Sequence, residues 1–225
     1  MLKSMLLLQK SLNDETNGLG WESGFTNRGK RINWRRCMWL EAAELVESYP
    51  WKHWKSVDAT PNYDNIRIEL VDIWHFVMSE ALRVNTIEGS DNIIDIVNRM
   101  TSTPEFKAFA KGNPPLRDTY KEIEIVESFV KALFTNESIE GLSARFFDMA
   151  RLGNLDLISL YKLYVGKNIL NRFRQNNGYK EGKYKKIWGD KEDNAILQEI
   201  LDSKPNIKPD SLYQELERVY REVVN

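Results

Sequence analysis

Two pairs of carboxylates stand at matching spacings, Glu41-x-x-Glu44 and Glu69-x-x-Asp72. A separation of three residues puts both members of a pair on one side of an α-helix. The neighbouring residues say which side. Around the first pair, Trp34, Met38, Leu45 and Tyr49 recur at helical spacing, with Glu41 inside that stripe and Glu44 on its edge. Around the second, Ile66, Ile68, Leu70, Val71, Ile73, Trp74, Phe76, Val77 and Met78 leave little polar face, so the segment reads as a buried helix. Carboxylates in such surroundings are costly unless they are neutralised, paired or gathered around a cation. Two facing helices bearing these acids would supply the oxygen donors that Mg²⁺ prefers at ~2.0–2.1 Å, with substrate phosphates completing the shell. The competing reading is ordinary helix acid in local salt bridges, for which Arg35, Arg36 and Arg67 are at hand. That reading suffices for one pair, because Glu is a common helix former. Two pairs on apolar faces favour the metal.

The second concentration of chemistry is cationic. Lys162, Lys167, Arg172, Arg174, Lys180, Lys183, Lys185 and Lys186 crowd one segment against the single acid Glu181. Lys167, Asn171 and Arg174 stand at i, i+4 and i+7 and share a helical face. Gly178, Gly182 and Gly189 then break the chain into a loop that carries Tyr179, Tyr184 and Lys186. Arginine forks and lysine point charges suit phosphates. A solvated basic face is the plain alternative. A nucleic-acid patch with tyrosines and Trp188 as stacking groups is another, disfavoured because the positives are confined to one short stretch. A carboxylate cage and a cationic face together suit a nucleoside triphosphate, with water attacking one phosphorus while metal and cations take up the developing charge. No G-x-x-x-x-G-K-[ST] occurs, so this is not a P-loop enzyme, and no H-E-x-x-H or G-x-S-x-G occurs either.

The elements that must position these residues are helices. Apolar residues recur every three or four positions, alternating β-branched runs are scarce, and the prolines fall between candidate elements. The pattern predicts a first helix over Lys3 to Glu15, a Gly/Asn-rich loop to Lys30, a second helix over Asn33 to Ser48 and a Trp-rich connection. A third helix covers Tyr63 to Arg83, and about three amphipathic helices fill residues 90–152. Another spans Leu155 to Gln175, followed by the basic loop Asn176 to Lys191 and two short C-terminal helices. The expectation is one all-α domain over 1–225, with carboxylate helices at 33–83, a variable helical region at 84–152 and a phosphate-binding helix and loop at 155–191.

Composition agrees. A chain of 225 residues can bury roughly 70% of its unfolded surface and needs no staples. Net charge is −1, which disfavours nucleic-acid binding through bulk charge. The single cysteine, Cys37, forbids an intrachain disulfide and a cysteine-based zinc site. That usage fits a reducing, cytoplasmic setting. No apolar run approaches the roughly 20 residues of a membrane span.

With these residues in hand, the chain resembles the all-α, dimeric dUTPase family, relatives of the MazG-type nucleotide pyrophosphatases, and is most similar to its bacterial, Campylobacter-type members. The likeness rests on Gln9-x-x-x-Asn13-Asp14-x-Thr16-Asn17-Gly18, on Trp34-Arg35-Arg36-Cys37 leading into Glu41-x-x-Glu44, and on Trp51-Lys52-His53-Trp54-Lys55. It continues in Glu69-Leu70-Val71-Asp72-Ile73-Trp74-His75, Gly166-Lys167-Asn168, Phe173 to Lys180, and Glu192-Asp193-Asn194. The resemblance implies a helical bundle that forms a homodimer and hydrolyses dUTP, and usually dUDP, to dUMP. It implies Mg²⁺ held by Glu41, Glu44, Glu69 and Asp72, with Glu41 the expected general base and Glu44 its competitor. It further implies that Gln9 and Asn13 read the uracil edge, that Trp51 and His75 border base and sugar, and that Asn171 faces the deoxyribose 3′-OH. Lys167, Arg174, Tyr179, Lys186 and Asn194 would hold the phosphates. A pyrophosphatase for another pyrimidine deoxynucleotide, or a non-catalytic helical module that binds nucleic acid or protein, are the alternatives.

Overall fold

In a computed structural model, which describes residues 1–55 and 59–224, the described chain holds ten α-helices and one two-residue hairpin. The helices are α1 (Leu2–Asn17), α2 (Trp34–Glu47), α3 (Tyr63–Ile87), α4 (Ile93–Thr101), α5 (Pro104–Lys111), α6 (Thr119–Phe134), α7 (Ile139–Met149), α8 (Leu157–Asn176), α9 (Asp193–Ser203) and α10 (Pro209–Val224). The strands β1 (Ile187–Trp188) and β2 (Lys191–Glu192) pair antiparallel. The all-α expectation holds. Four helices, rather than three, occupy residues 90–152. The extra one starts at Thr103-Pro104, where the threonine hydroxyl accepts from the Phe106 N–H and proline takes the first helical position. That is a strong start signal because proline lacks the N–H that a helix leaves unpaired there.

The chain falls into two compact units, residues 1–161 and 162–225. In the first, α3 is the central element. It packs against α1, α2, α4 and α7 and against two 3₁₀ turns, Trp21–Ser23 and Ala150–Gly153. Its start is fixed by Asn62, whose side chain accepts from the Asn65 N–H; Asn33 caps α2 in the same way through Arg36. The core is aromatic where α3 meets α7: Trp74 stacks on Phe146 with centroids 4.6 Å apart, and Phe147 stacks in turn on Phe109 of α5. Each such buried ring contributes about 1.5–3 kcal/mol.

The loop between α1 and α2 folds back on the helices. Trp21 is fully buried, meets Trp34 edge-on at 5.7 Å and donates from Nε1 to Asp14. Gly18 starts this turn at φ +87°, and a Cβ there would lie 2.6 Å from Asn27 Cβ. Only glycine satisfies both conditions.

In the second unit the last turns of α8 join the hairpin, α9 and α10. Leu170, Phe173, Trp188, Leu197, Ile200, Leu212 and Leu216 form its core. Phe173 meets Trp188, Tyr213 and Tyr220 edge-on, and Tyr184 stacks on Tyr220. The basic segment is therefore anchored by its aromatics while Lys183, Lys185 and Lys186 stay exposed.

Candidate active site

Three of the four expected carboxylates converge. Oxygens of Glu41 on α2 and of Glu69 and Asp72 on α3 all lie within 4.8 Å of one another. Glu69 is buried and the other two are half-buried. Glu44, one turn beyond Glu41, is exposed and lies outside the trio. Three carboxylate oxygens so close together form a hard, anionic donor set, the kind that suits Mg²⁺ or a similar divalent cation.

Asn65 holds one member of the trio, Glu69. Its Nδ2 donates to Glu69 Oε1 at 3.1 Å and to the Ser48 hydroxyl at 2.8 Å, tying the start of α3 to the end of α2. Two of the three arginines offered by the sequence as local counter-ions have other partners. Arg35 binds Glu80 and the Leu133 and Glu137 carbonyls, and Arg67 binds the Gly153 carbonyl. Burial pushes the Glu80 carboxyl up, but the hydrogen bonds and charges of Arg83 and Arg35 outweigh it and hold Glu80 below the usual carboxylate range. Cys37, one turn before Glu41, stays a thiol: burial first, then the Glu41 charge, push it up.

A second cluster in the same unit is polar and buried. Gln9 and Asn13, one turn apart on α1, face His75 and Ser79, one turn apart on α3. Gln9 Nε2 donates to Asn13 Oδ1 at 3.0 Å and to Ser79 Oγ at 3.1 Å, while Gln9 Oε1 lies 2.7 Å from His75 Nδ1. Asn13 Nδ2 donates to Ser79 Oγ at 3.0 Å. Three of these residues were expected on one ligand; Ser79, which joins them, was not. Trp51 follows the end of α2, half-buried, edge-on to Trp54 and beneath the Lys52 ammonium.

In the second unit four expected phosphate and sugar ligands form one hydrogen-bonded chain around a residue that was not singled out. Asp193, at the start of α9 and 1% exposed, accepts from Arg174 Nε at 2.8 Å and from Nη2 at 2.7 Å. The same carboxylate accepts from the Tyr184 hydroxyl at 2.7 Å. Arg174 also donates to Asn171 and Asn194, and Lys167 Nζ donates to Asn194 at 2.9 Å. Burial works to raise the Asp193 carboxyl, but the Arg174 fork, with help from Tyr184 and Lys167, keeps it low. Burial and Asp193 push the Tyr184 phenol up, so it remains a donor. Tyr179 and Lys186 are exposed on the loop, with the ammonium 5.8 Å above the Tyr179 ring.

No helix among the described residues is long and apolar enough to cross a membrane. No curated protein matches the chain. A family profile described as dUTPase matches residues 1–179, which include the carboxylate trio, the Gln9 cluster, Lys167, Asn171 and Arg174.

Proposed function

The chain belongs to the all-α dUTPase family and is a dUTP diphosphatase, and from that premise we propose how its residues divide the work. Glu41, Glu69 and Asp72 would hold Mg²⁺, with Glu44, one turn beyond Glu41, as a further ligand. When bound, the ion would supply positive charge against the charge that develops on the phosphate oxygens. Water oxygen bonds to the α-phosphorus, Glu41 takes up the proton, the bond to the bridging oxygen of the β-phosphate breaks, and pyrophosphate leaves with that electron pair. Lys167, Arg174, Tyr179, Lys186 and Asn194 neutralise and orient the phosphate chain. Gln9 and Asn13 read the uracil, Trp51 and His75 border base and sugar, and Asn171 meets the 3′-OH. The same arrangement accepts dUDP, and the enzyme works as a homodimer.

The observation that carries this reading is the convergence of Glu41, Glu69 and Asp72 within 4.8 Å of one another in a chain of this family. The test is pyrophosphate release from a panel of deoxynucleoside triphosphates, and phosphate release from dUDP, each with Mg²⁺ and with EDTA. Release from dUTP and dUDP that needs Mg²⁺ and spares dTTP supports it. Glu69→Gln should lower dUTP turnover at least ~10³-fold while the melting temperature is kept. Turnover near wild type in EDTA, or in Glu69→Gln, refutes the metal assignment.

A further inference from the structure

Ser79 does not need to touch the substrate to decide which base is accepted. Its hydroxyl donates to the His75 carbonyl one turn back at 2.8 Å. A serine hydroxyl has one hydrogen and two lone pairs. The other acceptor within reach, Asn13 Oδ1, lies further off at 3.5 Å, so the hydrogen stays on the helix carbonyl and the lone pairs face α1. The two amide atoms that approach them, from Gln9 at 3.1 Å and Asn13 at 3.0 Å, must then be NH₂ groups. An amide turned over would set oxygen against oxygen. The remaining contacts agree. Gln9 Nε2 also donates to Asn13 Oδ1, and Gln9 Oε1 lies 2.7 Å from His75 Nδ1, which donates to it in the Nδ1–H tautomer. All four side chains are buried, with Ser79 wholly so, and a buried polar network is costly to leave half-satisfied.

Uracil and cytosine differ by an exchange of this kind. Uracil offers N3–H and an O4 acceptor; cytosine offers an N3 acceptor and a 4-amino donor. An amide free to turn over would serve either base. We infer that Ser79 is a positioning residue for base selection: it fixes the direction of the Asn13 and Gln9 amides, so that Asn13 presents its second Nδ2 hydrogen to the O4 side of the base and meets the 4-amino group of cytosine donor to donor. The inference rests on the proposed base-reading role of Asn13.

The experiment measures kcat/KM for dUTP and dCTP in Ser79→Ala, Asn13→Ala and the double variant, with melting temperatures recorded. Ser79→Ala should lower the dUTP:dCTP ratio about tenfold, the order expected when one oriented hydrogen bond is lost. In the Asn13→Ala background the same change should add nothing to the ratio, because both act through one amide. A lowered ratio in Asn13→Ala with an unchanged ratio in Ser79→Ala overturns the inference and leaves the base-reading role standing. Equal losses on both nucleotides in Ser79→Ala assign it a purely structural role, and overturn the inference too. An unchanged ratio in Asn13→Ala removes the base-reading role and the inference with it.

Discussion

Asp193→Asn tests how the second unit is held together. The substitution keeps size and shape and removes one charge. In the native protein the carboxylate accepts three short hydrogen bonds, two from the Arg174 fork and one from Tyr184. An asparagine keeps one acceptor oxygen and sets an NH₂ group against a guanidinium or phenol donor. The Arg174 charge, with its side chain only 10% exposed, then loses the charge of Asp193. Removing one partner of a buried pair costs about 3–5 kcal/mol. The lower end applies, because Asn171 and Asn194 still accept from the guanidinium. For a chain of this size each kcal/mol is worth about 2–4 °C in melting temperature, so a fall of about 6–12 °C is expected at pH 7 by scanning calorimetry.

The pH dependence provides a second check. The folded-state pKa of Asp193 is depressed. Its stabilisation is therefore complete above the unfolded value of about 3.9 and is lost as pH falls through the lower folded value. The gap between wild type and variant should be flat from about pH 5 to 8 and should close below about pH 4. In activity, a misaimed Arg174 should raise KM for dUTP more than it lowers kcat. A melting temperature within 2 °C of wild type at pH 7, or a gap that widens in acid, would refute the buried-pair argument.

Two further outcomes are expected. Asn65→Ala removes the hydrogen bond behind Glu69 and the tie to Ser48; a Mg²⁺ titration of pyrophosphate release should show the midpoint raised about tenfold, as for other outer-shell partners of metal ligands, with kcat at saturating Mg²⁺ close to wild type. Gly18→Ala puts a side chain into φ +87° and against Asn27; a cost of about 1–3 kcal/mol should appear as a lowered melting temperature, and an unchanged one would mean that the turn under Trp21 relaxes freely.

The carboxylate trio was legible because its signal is local. Acids three apart on an apolar stripe can be recognised without knowing the fold, and the same pattern set Glu44 on the stripe's edge, where it is indeed exposed. The helix at Thr103-Pro104 was also legible in principle, since a capping threonine and a first-turn proline mark a start whatever lies around them. Residues that act through a distant partner carry no such mark. Arg35 stood beside four candidate acids and binds Glu80, which no spacing rule selects. Ser79 shows the limit most clearly. Ser79 and Ser143 are both wholly buried, and both donate to the carbonyl four residues back, at 2.8 Å and 2.6 Å. Along the chain the two serines are equivalent, small polar residues tolerated in an apolar helix because they satisfy themselves. Only the arrival of α1, 66 to 70 residues away in sequence, turns the lone pairs of one of them into a template for two amides. The polar face of α1 was visible in the sequence, whereas the hydroxyl that meets both of its amides acquires that place only from the packing of one helix on another.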